Sequence, residues 1–310
     1  MPAAIHPLVS PWGRFGLYSY FIDAPEPAIV DTGIASSPAE GLLPALKALG
    51  RSIEEVRWIL LTHGHIDHLG GARALHELTG GKAQVVIHEA DAPLLRSRQA
   101  HVDEYLHGRS RYLNAPGGAE QQAETAGAVI SGEMEPDVLL RGGETLSLGG
   151  DVRISVHSVP GHTPGSVAYE LDGAVFVGDA VQIHGAANRF PGYTDPDAYR
   201  RSLEYLRDVL RPRHLYLGHP YRGADGEPNG VELDAAQAHR ALQESLELEG
   251  RIRASAGRAL RAGLQESESA YSPFAPVAAD LGYSSDPTLE PSPFFTTLDG
   301  YRTLFNQKPA

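Results

Sequence analysis

The chain has 310 residues, 42% of them hydrophobic and 21% charged, which is an ordinary composition for a globular protein with a substantial core. The 26 Lys and Arg residues stand against 39 Asp and Glu residues, and the formal net charge of −13 argues against nucleic acid or an anionic membrane as a partner. There is no cysteine, which excludes disulfide bonds, thiolate nucleophiles and cysteine-ligated metal sites. With 14 histidines present, any metal chemistry uses nitrogen and oxygen ligands.

The N-terminal residues show neither a basic segment nor the apolar run of a signal peptide. No apolar stretch approaches the roughly 20 residues that a membrane-spanning helix needs. We therefore expect a cytoplasmic protein that acts on a small molecule, without a membrane or nucleic-acid partner. No feature of the sequence indicates its oligomeric state.

Short apolar runs alternate with helical patterns along the chain, in two successive sets. The first set predicts strands and helices, in order, at residues 17–22, 28–30, 38–49 (helix), 58–61, 69–78 (helix) and 85–87. The second set predicts strands at 146–148, 152–159, 166–171 and 174–177, a helix at 197–210 and a strand at 214–217. This recurrence predicts two similar α/β halves that form a layered sandwich.

Two regions do not fit the alternating pattern. Residues 94–136 look helical but polar, and we interpret them as an insertion that caps or walls a pocket. Residues 231–310 are predicted to be a helical C-terminal extension packed on a catalytic domain of residues 1–230. The extension begins as an amphipathic helix from Asp234 to about Gly263 and ends in a strap in which Phe294 and Phe295 pack onto the domain surface. A place for these two rings in a substrate pocket is the alternative.

The segment from His63 to His68 places three histidines and one aspartate within six residues, between a predicted buried strand and a predicted helix. His63 and His65, two residues apart, can converge on one metal ion, while Asp67 and His68 can point to a second. Such a loop, pinned at both ends by rigid elements, holds side chains as a metal site requires.

Three further candidate ligands occupy similar junctions. His162 lies in a tight turn between two predicted strands, and Asp179 and His219 each close an apolar strand. A carboxylate at the end of a buried strand must be paired or metal-bound, since an isolated one is costly to desolvate. Strand ends and the turns between strands are where α/β architectures usually place ligands, so these three side chains are candidate ligands beside the histidine loop.

In this order, the motifs His-x-His-x-Asp-His, Gly-His-Thr-Pro-Gly-Ser, Gly-Asp and Gly-His resemble those of the metallo-β-lactamase-fold hydrolase superfamily, over about residues 15–225. The resemblance, to its glyoxalase II-like and lactonase-like branch, implies an α/β fold, an αββα four-layer sandwich with the metals at one edge. It implies that a first metal ion is bound by His63, His65 and His162. It implies a second ion bound by Asp67, His68 and His219, with Asp179 bridging the two. Asp31, in an Asp-Thr-Gly turn, is implied to support the ligand loop without binding metal.

Five imidazoles and two carboxylates suit two divalent ions, with zinc as the first choice and Fe or Mn as alternatives. Two such ions about 3.5–4 Å apart can share a hydroxide, and zinc can lower the pKa of bound water from 15.7 to about 7, so that hydroxide forms at neutral pH. The hydroxide would attack a carbonyl carbon, and Asp67 would act as the catalytic residue that orients it and passes a proton to the leaving group. The predicted activity is hydrolysis of a small ester-like substrate, a thioester or a lactone.

Several alternatives stay open. A lactonase is less favoured because Ala180, Val181 and Gln182 follow Asp179, where acyl-homoserine lactonases have a tyrosine. No clear basic cluster for glutathione carboxylates is visible near the tail, and a β-lactamase would normally carry an export signal. Outside hydrolysis, the alternatives are a mononuclear iron persulfide dioxygenase-like oxidoreductase, a nuclease opposed by the net charge of −13, and a binding protein with a degenerate site.

The loop beyond Asp179 is the predicted place for substrate contacts. His184 follows Asp179 by five residues, and Tyr193 lies a little further along the same loop. We predict that one or both contact the substrate. The other histidines are interpreted as solvated or structural, and His101 in the insertion is expected to be a surface residue.

Overall fold

The structure is a computed structural model that describes residues 3–13, 15–109, 112, 117–287 and 292–307. Twelve strands of these residues form two six-stranded sheets. The first sheet contains, in spatial order, β1 (Ala4–Trp12), β2 (Phe15–Asp23), β3 (Ala28–Val30), β4 (Trp58–Leu60), β5 (Gln84–His88) and β6 (Val138–Leu140). The second contains β7 (Thr145–Ser147), β8 (Arg153–Ser158), β9 (Val167–Leu171), β10 (Ala174–Gly178), β11 (His214–Leu217) and β12 (Glu232–Asp234), again in spatial order.

Both sheets are mixed. Strands β1, β2 and β3 pair antiparallel, whereas β3 to β6 are parallel. In the second sheet, β10 and β11 are parallel neighbours within an otherwise antiparallel arrangement. Loops that follow β4, β10 and β11 therefore leave their strands at carboxyl ends, where α/β sheets commonly place functional residues.

Ten α-helices of the described residues cover the outer faces of the sheets. Their bounds are α1 (Leu43–Ala48), α2 (Ile66–Leu69), α3 (Ala72–Leu78), α4 (Ala92–Arg96), α5 (Arg98–Arg109), α6 (Gly118–Val129), α7 (Pro196–Tyr205), α8 (Ala235–Ala262), α9 (Ala275–Leu281) and α10 (Pro293–Gln307). Wider helical turns at Pro38–Leu42 and Leu206–Leu210 and a 3₁₀ turn at Ile53–Glu55 complete the helical segments. No helix among the described residues is long and apolar enough to span a membrane.

The layers follow from the alternation of side chains along each strand. In β10, Phe176 packs between the two sheets, while Val175 and Val177 face the second helical layer. In β4, Leu60 packs between the sheets and Ile59 faces the first helical layer. Such strands are buried on both faces and read as continuous apolar runs. The predicted αββα four-layer sandwich is therefore confirmed.

Strand β1 was not predicted, because Pro7 and Pro11 interrupt the apolar pattern that marks a strand. Proline cannot donate a ladder hydrogen bond and is tolerated on edge strands. The first strand is such an edge, and it pairs only with β2 among the described strands. The register matches Pro7 with Tyr20 and Pro11 with Gly16.

The C-terminal strap is helix α10 rather than an irregular segment. Phe294 and Phe295 are fully buried in the hydrophobic cluster between the second sheet and its helices, so they pack into a core rather than onto a surface. The boundary predicted at residue 230 also differs from the sheet topology, because β12 lies beyond it yet pairs with β11. In the predicted insertion, α5 and α6 are helical, while residues 110, 111 and 113–116 lie outside the described residues.

Candidate metal centre

The predicted ligands lie at the carboxyl ends of strands and in one tight turn. His63 and His65 occupy the loop after β4, and Asp67 and His68 lie in the single turn of α2 that follows. Asp179 comes directly after β10, His219 is the second residue after β11, and His162 lies in the turn between β8 and β9. The fold thus brings side chains separated by more than 150 residues to one edge of the sandwich.

Asp31 supports the loop of predicted ligands through its contacts with Thr62 and His68. Its backbone adopts a left-handed conformation, with φ 58°, which aspartate tolerates better than most residues. One carboxylate oxygen accepts the Thr62 N–H at 2.8 Å, and the other accepts the Thr62 hydroxyl at 2.8 Å and lies 2.8 Å from His68 Nδ1. Because the carboxylate can only accept, His68 carries its proton on Nδ1 and presents Nε2 to the centre.

The ligand atoms converge in three overlapping groups. Nitrogen or oxygen atoms within each group all lie within 4.8 Å of one another, and the groups are His63–His65–His162, His63–His68–Asp179 and Asp67–His68–His219. The first and third match the two triads implied by the sequence motifs. Asp179 lies between the triads, with Oδ2 3.7 Å from His162 Nε2 and 3.6 Å from His219 Nε2.

The first triad presents lone pairs to a common point. His162 Nδ1 donates to the Gly192 carbonyl at 2.6 Å, and His63 Nδ1 lies 3.1 Å from the Thr62 hydroxyl, whose own proton goes to Asp31. Both rings therefore turn unprotonated Nε2 atoms toward each other, 3.2 Å apart. Facing lone pairs repel unless a cation lies between them. Two nitrogens bound to one tetrahedral zinc ion are about 3.3–3.4 Å apart, so the donor set fits such an ion.

Electrostatics keep the first triad in the neutral form that binds metal. Burial lowers the pKa of His63 well below its usual value, and the neighbouring imidazoles lower it further. Burial, together with His162, lowers the pKa of His65 to about 3. The pKa of His162 is also lowered, chiefly by burial. A neutral imidazole is the required ligand form, so no proton competes strongly for these nitrogens at neutral pH.

The second triad lies in a more anionic environment. Burial acts to lower the pKa of His68, but the carboxylates of Asp179, Asp31 and Asp67 together raise it. His219 behaves in the same way, since Asp179 and Asp67 outweigh its burial and raise its pKa. Its Nε2 lies 3.1 Å from Asp67 Oδ2 and 3.3 Å from His68 Nε2. This cluster therefore favours positive charge at the position where a second cation would sit.

Asp179 is a buried, ionised carboxylate of the kind that binds a cation. It is buried, and its Oδ1 accepts no well-formed hydrogen bond among the described residues, although His68 Nε2 lies 3.3 Å away. Burial acts to raise its pKa, but His219 and His68 lower it well below the usual value, so the carboxylate is ionised. A buried, ionised oxygen without a donor is costly unless it binds a metal ion.

Two glycines allow the strand ends to approach the centre closely. A Cβ atom on Gly218 would lie 2.2 Å from Asp179 Oδ1, and one on Gly178 would lie 2.2 Å from the Thr62 hydroxyl. Real Cβ contacts are never this short. Gly178, which precedes Asp179, and Gly218, which precedes His219, are therefore steric requirements of the site.

Asp91 is a functional residue that the sequence interpretation missed. It is buried, and its carboxylate accepts the Gly64 N–H at 2.8 Å, the Thr163 hydroxyl at 2.7 Å and the Gly165 N–H at 2.8 Å. It thus joins the loop of His63 and His65 to the turn of His162. Its partners are mostly backbone groups far away in sequence, so no motif marks it.

Tyr221 was also missed, although its position two residues after His219 offered a signal. Its ring meets the His219 ring edge-on, with centroids 5.8 Å apart. The side chain is buried, and burial together with the Asp179 carboxylate raises its pKa well above the usual value. It therefore provides a protonated hydroxyl behind the second triad.

The predicted substrate contacts fare differently. Tyr193 is completely buried, and its hydroxyl lies 3.0 Å from that of Tyr301 while its ring stacks on Tyr199, so the side chain is not available to a substrate. Its contact with a substrate stays a prediction, which its burial under the C-terminal helices disfavours. His184 is partly exposed, 3.9 Å from Glu244, and the charges that act on its pKa come from outside the triads. Its contact with a substrate stays a prediction.

His101 is also placed differently from its expectation. It is 1% exposed rather than on the surface, and neither ring nitrogen has a hydrogen-bond partner among the described residues. It lines a small cavity of about 10 Å³ together with Ile66, Val102 and Ala126. Helix α5 of the insertion therefore packs directly against the start of α2, next to the predicted ligands.

Known proteins include relatives that are similar to this chain in sequence. A hydroxyacylglutathione hydrolase of Anaeromyxobacter dehalogenans is 30% identical over 241 residues, which is 73% of this chain and 71% of the relative. An uncharacterized protein of Bacillus subtilis, YobT, is 31% identical over 207 residues, 63% of this chain and 78% of the relative.

Solved structures show the same fold. A metallo-beta-lactamase family protein of Thermus thermophilus superposes with a TM-score of 0.69 and 23% identity, covering 98% of this chain and 93% of that one. BJP-1, a subclass B3 metallo-beta-lactamase of Bradyrhizobium japonicum, gives a TM-score of 0.54 and 20% identity over 84% of this chain and 96% of its own. The family model of the metallo-beta-lactamase superfamily matches residues 12–219. The chain therefore belongs to the metallo-beta-lactamase superfamily.

Proposed function

We propose that this protein is a dinuclear metal-dependent hydrolase of a small ester-like substrate, with a thioester as the favoured class and a lactone as the other. The observation that carries the proposal is the pair of side-chain triads joined by Asp179, with imidazole lone pairs facing each other at 3.2 Å. Relatives that bear the name hydroxyacylglutathione hydrolase, at about 30% identity, support the thioester.

In this proposal the two triads hold one divalent ion each, and Asp179 contributes to both. His63, His65 and His162 offer nitrogen ligands alone, and the second triad adds the Asp67 carboxylate. Zinc is the favoured metal for such a mixture, with Fe or Mn as alternatives. When bound, the ions would supply a hydroxide at neutral pH and polarise the substrate carbonyl.

Asp67 is the proposed catalytic residue of the chain itself. Burial acts to raise its pKa, but His68 and His219 lower it below the usual range, so the carboxylate is ionised at neutral pH. An ionised carboxylate at the rim of the centre can accept a proton from the attacking water and return it to the leaving group. Its second oxygen stays within 3.1 Å of His219 and keeps it oriented.

The exposure of the two triads indicates the side from which a substrate approaches. The side chains of Asp67 and His219 are 19% and 16% exposed, whereas His68 is 1% and His162 8% exposed. The rim formed by Asp67 and His219 is therefore the proposed entrance. A lactone is less favoured because Ala180, Val181 and Gln182 follow Asp179 and none of them is a tyrosine. A cytoplasmic location stays a prediction from the sequence.

The test is a hydrolysis panel on protein whose metal content has been measured. Thioesters, lactones, aryl esters and β-lactams are assayed side by side, and we expect two ions per chain and the fastest turnover on a thioester. Asp67→Asn should reduce turnover by at least about 100-fold, whereas Asp103→Asn, an exposed aspartate on α5, should leave it unchanged. One iron per chain with oxygen consumption and no hydrolysis would refute the proposal.

A further inference from the structure

We infer that helix α10 positions the predicted metal ligand His162, and that Thr297 is the residue through which it does so. This inference rests on the proposed function, because it takes His162 to bind a metal ion. The link between them is the segment of residues 191–193, here called the carbonyl segment. Its central residue, Gly192, accepts the hydrogen bond of His162 Nδ1 at 2.6 Å. The direction of that carbonyl, together with Gln182 Nε2 at 2.8 Å from the same Nδ1, sets the rotation of the imidazole and hence the aim of Nε2.

On the side of the metal centre, Gln182 holds the carbonyl segment. Its Oε1 accepts the Gly192 N–H at 2.7 Å, and its Nε2 donates to the Gly192 carbonyl at 2.8 Å. Nε2 also donates to the Asp179 carbonyl at 3.0 Å. One amide side chain thus fixes both polar groups of Gly192 relative to the strand end that carries Asp179.

On the opposite side, α10 holds the same segment. The Thr297 hydroxyl donates to the Pro191 carbonyl at 2.8 Å and accepts the Tyr193 N–H at 3.0 Å, so it bridges the peptide groups on either side of Gly192. Thr297 is completely buried. A Cβ on Gly192 would lie only 3.1 Å from Pro293 Cβ, which shows how closely the start of α10 packs on the segment.

Helix α10 is itself fixed to the long helix α8. The Tyr301 hydroxyl lies 2.8 Å from Glu249 Oε1, and the Tyr193 hydroxyl lies 3.0 Å from that of Tyr301. Glu249 is completely buried and is neutralised by Arg200 and Arg253, each 2.7 Å away. The support of His162 therefore extends into the residues of helices α8 and α10. Those residues lie beyond residue 219, where the match to the superfamily ends.

The decisive comparison is between Thr297→Val, which keeps the shape but removes both hydrogen bonds, and Thr297→Ser, which restores the hydroxyl. The matched control is Thr296→Val, because Thr296 is the preceding residue of the same helix and its hydroxyl is not part of this chain of hydrogen bonds. Each protein is stripped of metal, and its two zinc dissociation constants are measured by competition with a chromophoric chelator.

We expect Thr297→Val to raise one of the two zinc dissociation constants by about 10–100-fold and to leave the other within about threefold of its wild-type value. Thr297→Ser and Thr296→Val should retain both constants. In the zinc-loaded protein, the Nδ1–H resonance of His162 should shift in Thr297→Val alone. A general loss of stability would affect the binding of both ions and many resonances, so it would not produce this selective change.

The inference is overturned if folded Thr297→Val binds both ions as tightly as the wild type and keeps the His162 resonance. If Thr297→Val does not fold, Thr297→Ala and Thr297→Ser are compared instead, since both lack the methyl group and only one lacks the hydroxyl. Equal constants in that pair refute the inference too. If the wild type itself binds no stoichiometric metal, the proposed function fails, and that result is distinct from a wild type with two ions and an unaffected variant.

Discussion

Replacing Asp91 with asparagine tests whether the two ligand loops are held together by a single buried carboxylate. The Asp91 carboxylate accepts three hydrogen bonds of 2.7–2.8 Å, two on Oδ2 and one on Oδ1. An asparagine of the same shape offers only one oxygen. At least one donor, the Gly165 N–H, would then face an amide NH₂ group instead of an acceptor.

The expected loss in free energy of unfolding follows from the number of hydrogen bonds that the substitution removes. A hydrogen bond to a charged group contributes about 1.5–3 kcal/mol, and a buried donor left unsatisfied costs about 1–3 kcal/mol. We therefore expect Asp91→Asn to lower the free energy of unfolding of the metal-free protein by about 2–4 kcal/mol. Since Gly64 lies between His63 and His65, and Gly165 lies in the same turn as His162, we also expect metal affinity to fall by about 10–100-fold.

Urea unfolding of the metal-free proteins measures the first effect, and chelator competition measures the second. Asp137→Asn is the control, because Asp137 is exposed and accepts one backbone hydrogen bond from Val85. It should cost less than about 1 kcal/mol. An Asp91→Asn protein within about 0.5 kcal/mol of the wild type, with unchanged metal affinity, would show that the carboxylate does not join the loops.

Three further predictions concern the same region. Gly218→Ala should abolish binding of at least one ion in a metal titration, because its Cβ would lie 2.2 Å from Asp179 Oδ1, whereas Gly127→Ala on the exposed face of α6 should bind metal normally. Removing metal with a chelator should lower the melting temperature, and zinc at about 100 times its dissociation constant should restore about 2.7 kcal/mol per site; an unchanged melting curve would contradict this. Burial lowers the pKa of His101 to about 4, so the unfolded chain binds its proton first as pH falls below 6.5. Between about pH 6.5 and 4, the free energy of unfolding of the metal-free protein should therefore fall by up to about 3 kcal/mol more in the wild type than in His101→Gln, as measured by urea unfolding. A difference in free energy of unfolding between the two proteins that does not change with pH would refute this.

The sequence is most informative where a short motif carries the geometry. His63, His65, Asp67 and His68 lie within one loop, so their convergence follows from local spacing alone. His162, Asp179 and His219 could be added because each closes or joins a strand. The apolar runs of β4, β10 and β11 likewise predict strands buried on both faces, because their alternate residues face a sheet and a helical layer.

What escaped prediction depends on contacts that leave no local pattern. Asp91 acts through the backbone N–H groups of Gly64 and Gly165, and a backbone group leaves no side-chain signature in the sequence. Tyr193 lies on the expected loop, yet α10 buries it, and the proline- and phenylalanine-rich start of α10 lacks a clear helical period. His101 lies in a polar helical segment and is buried only because α5 packs against α2. Tertiary packing, rather than local propensity, decided each of these positions.

The two prolines of β1 also have a consequence for how copies of this protein behave at high concentration. Among the described strands, Pro7 and Pro11 lie on an edge of the first sheet, where an unpaired strand presents N–H groups to solvent. Proline has no such group, so a second chain cannot form a continuous hydrogen-bonded ladder along this edge. Val9, between them and 51% exposed, is thereby kept from nucleating intermolecular β-pairing. The same residues that hide the strand from sequence-based prediction protect the folded protein against aggregation.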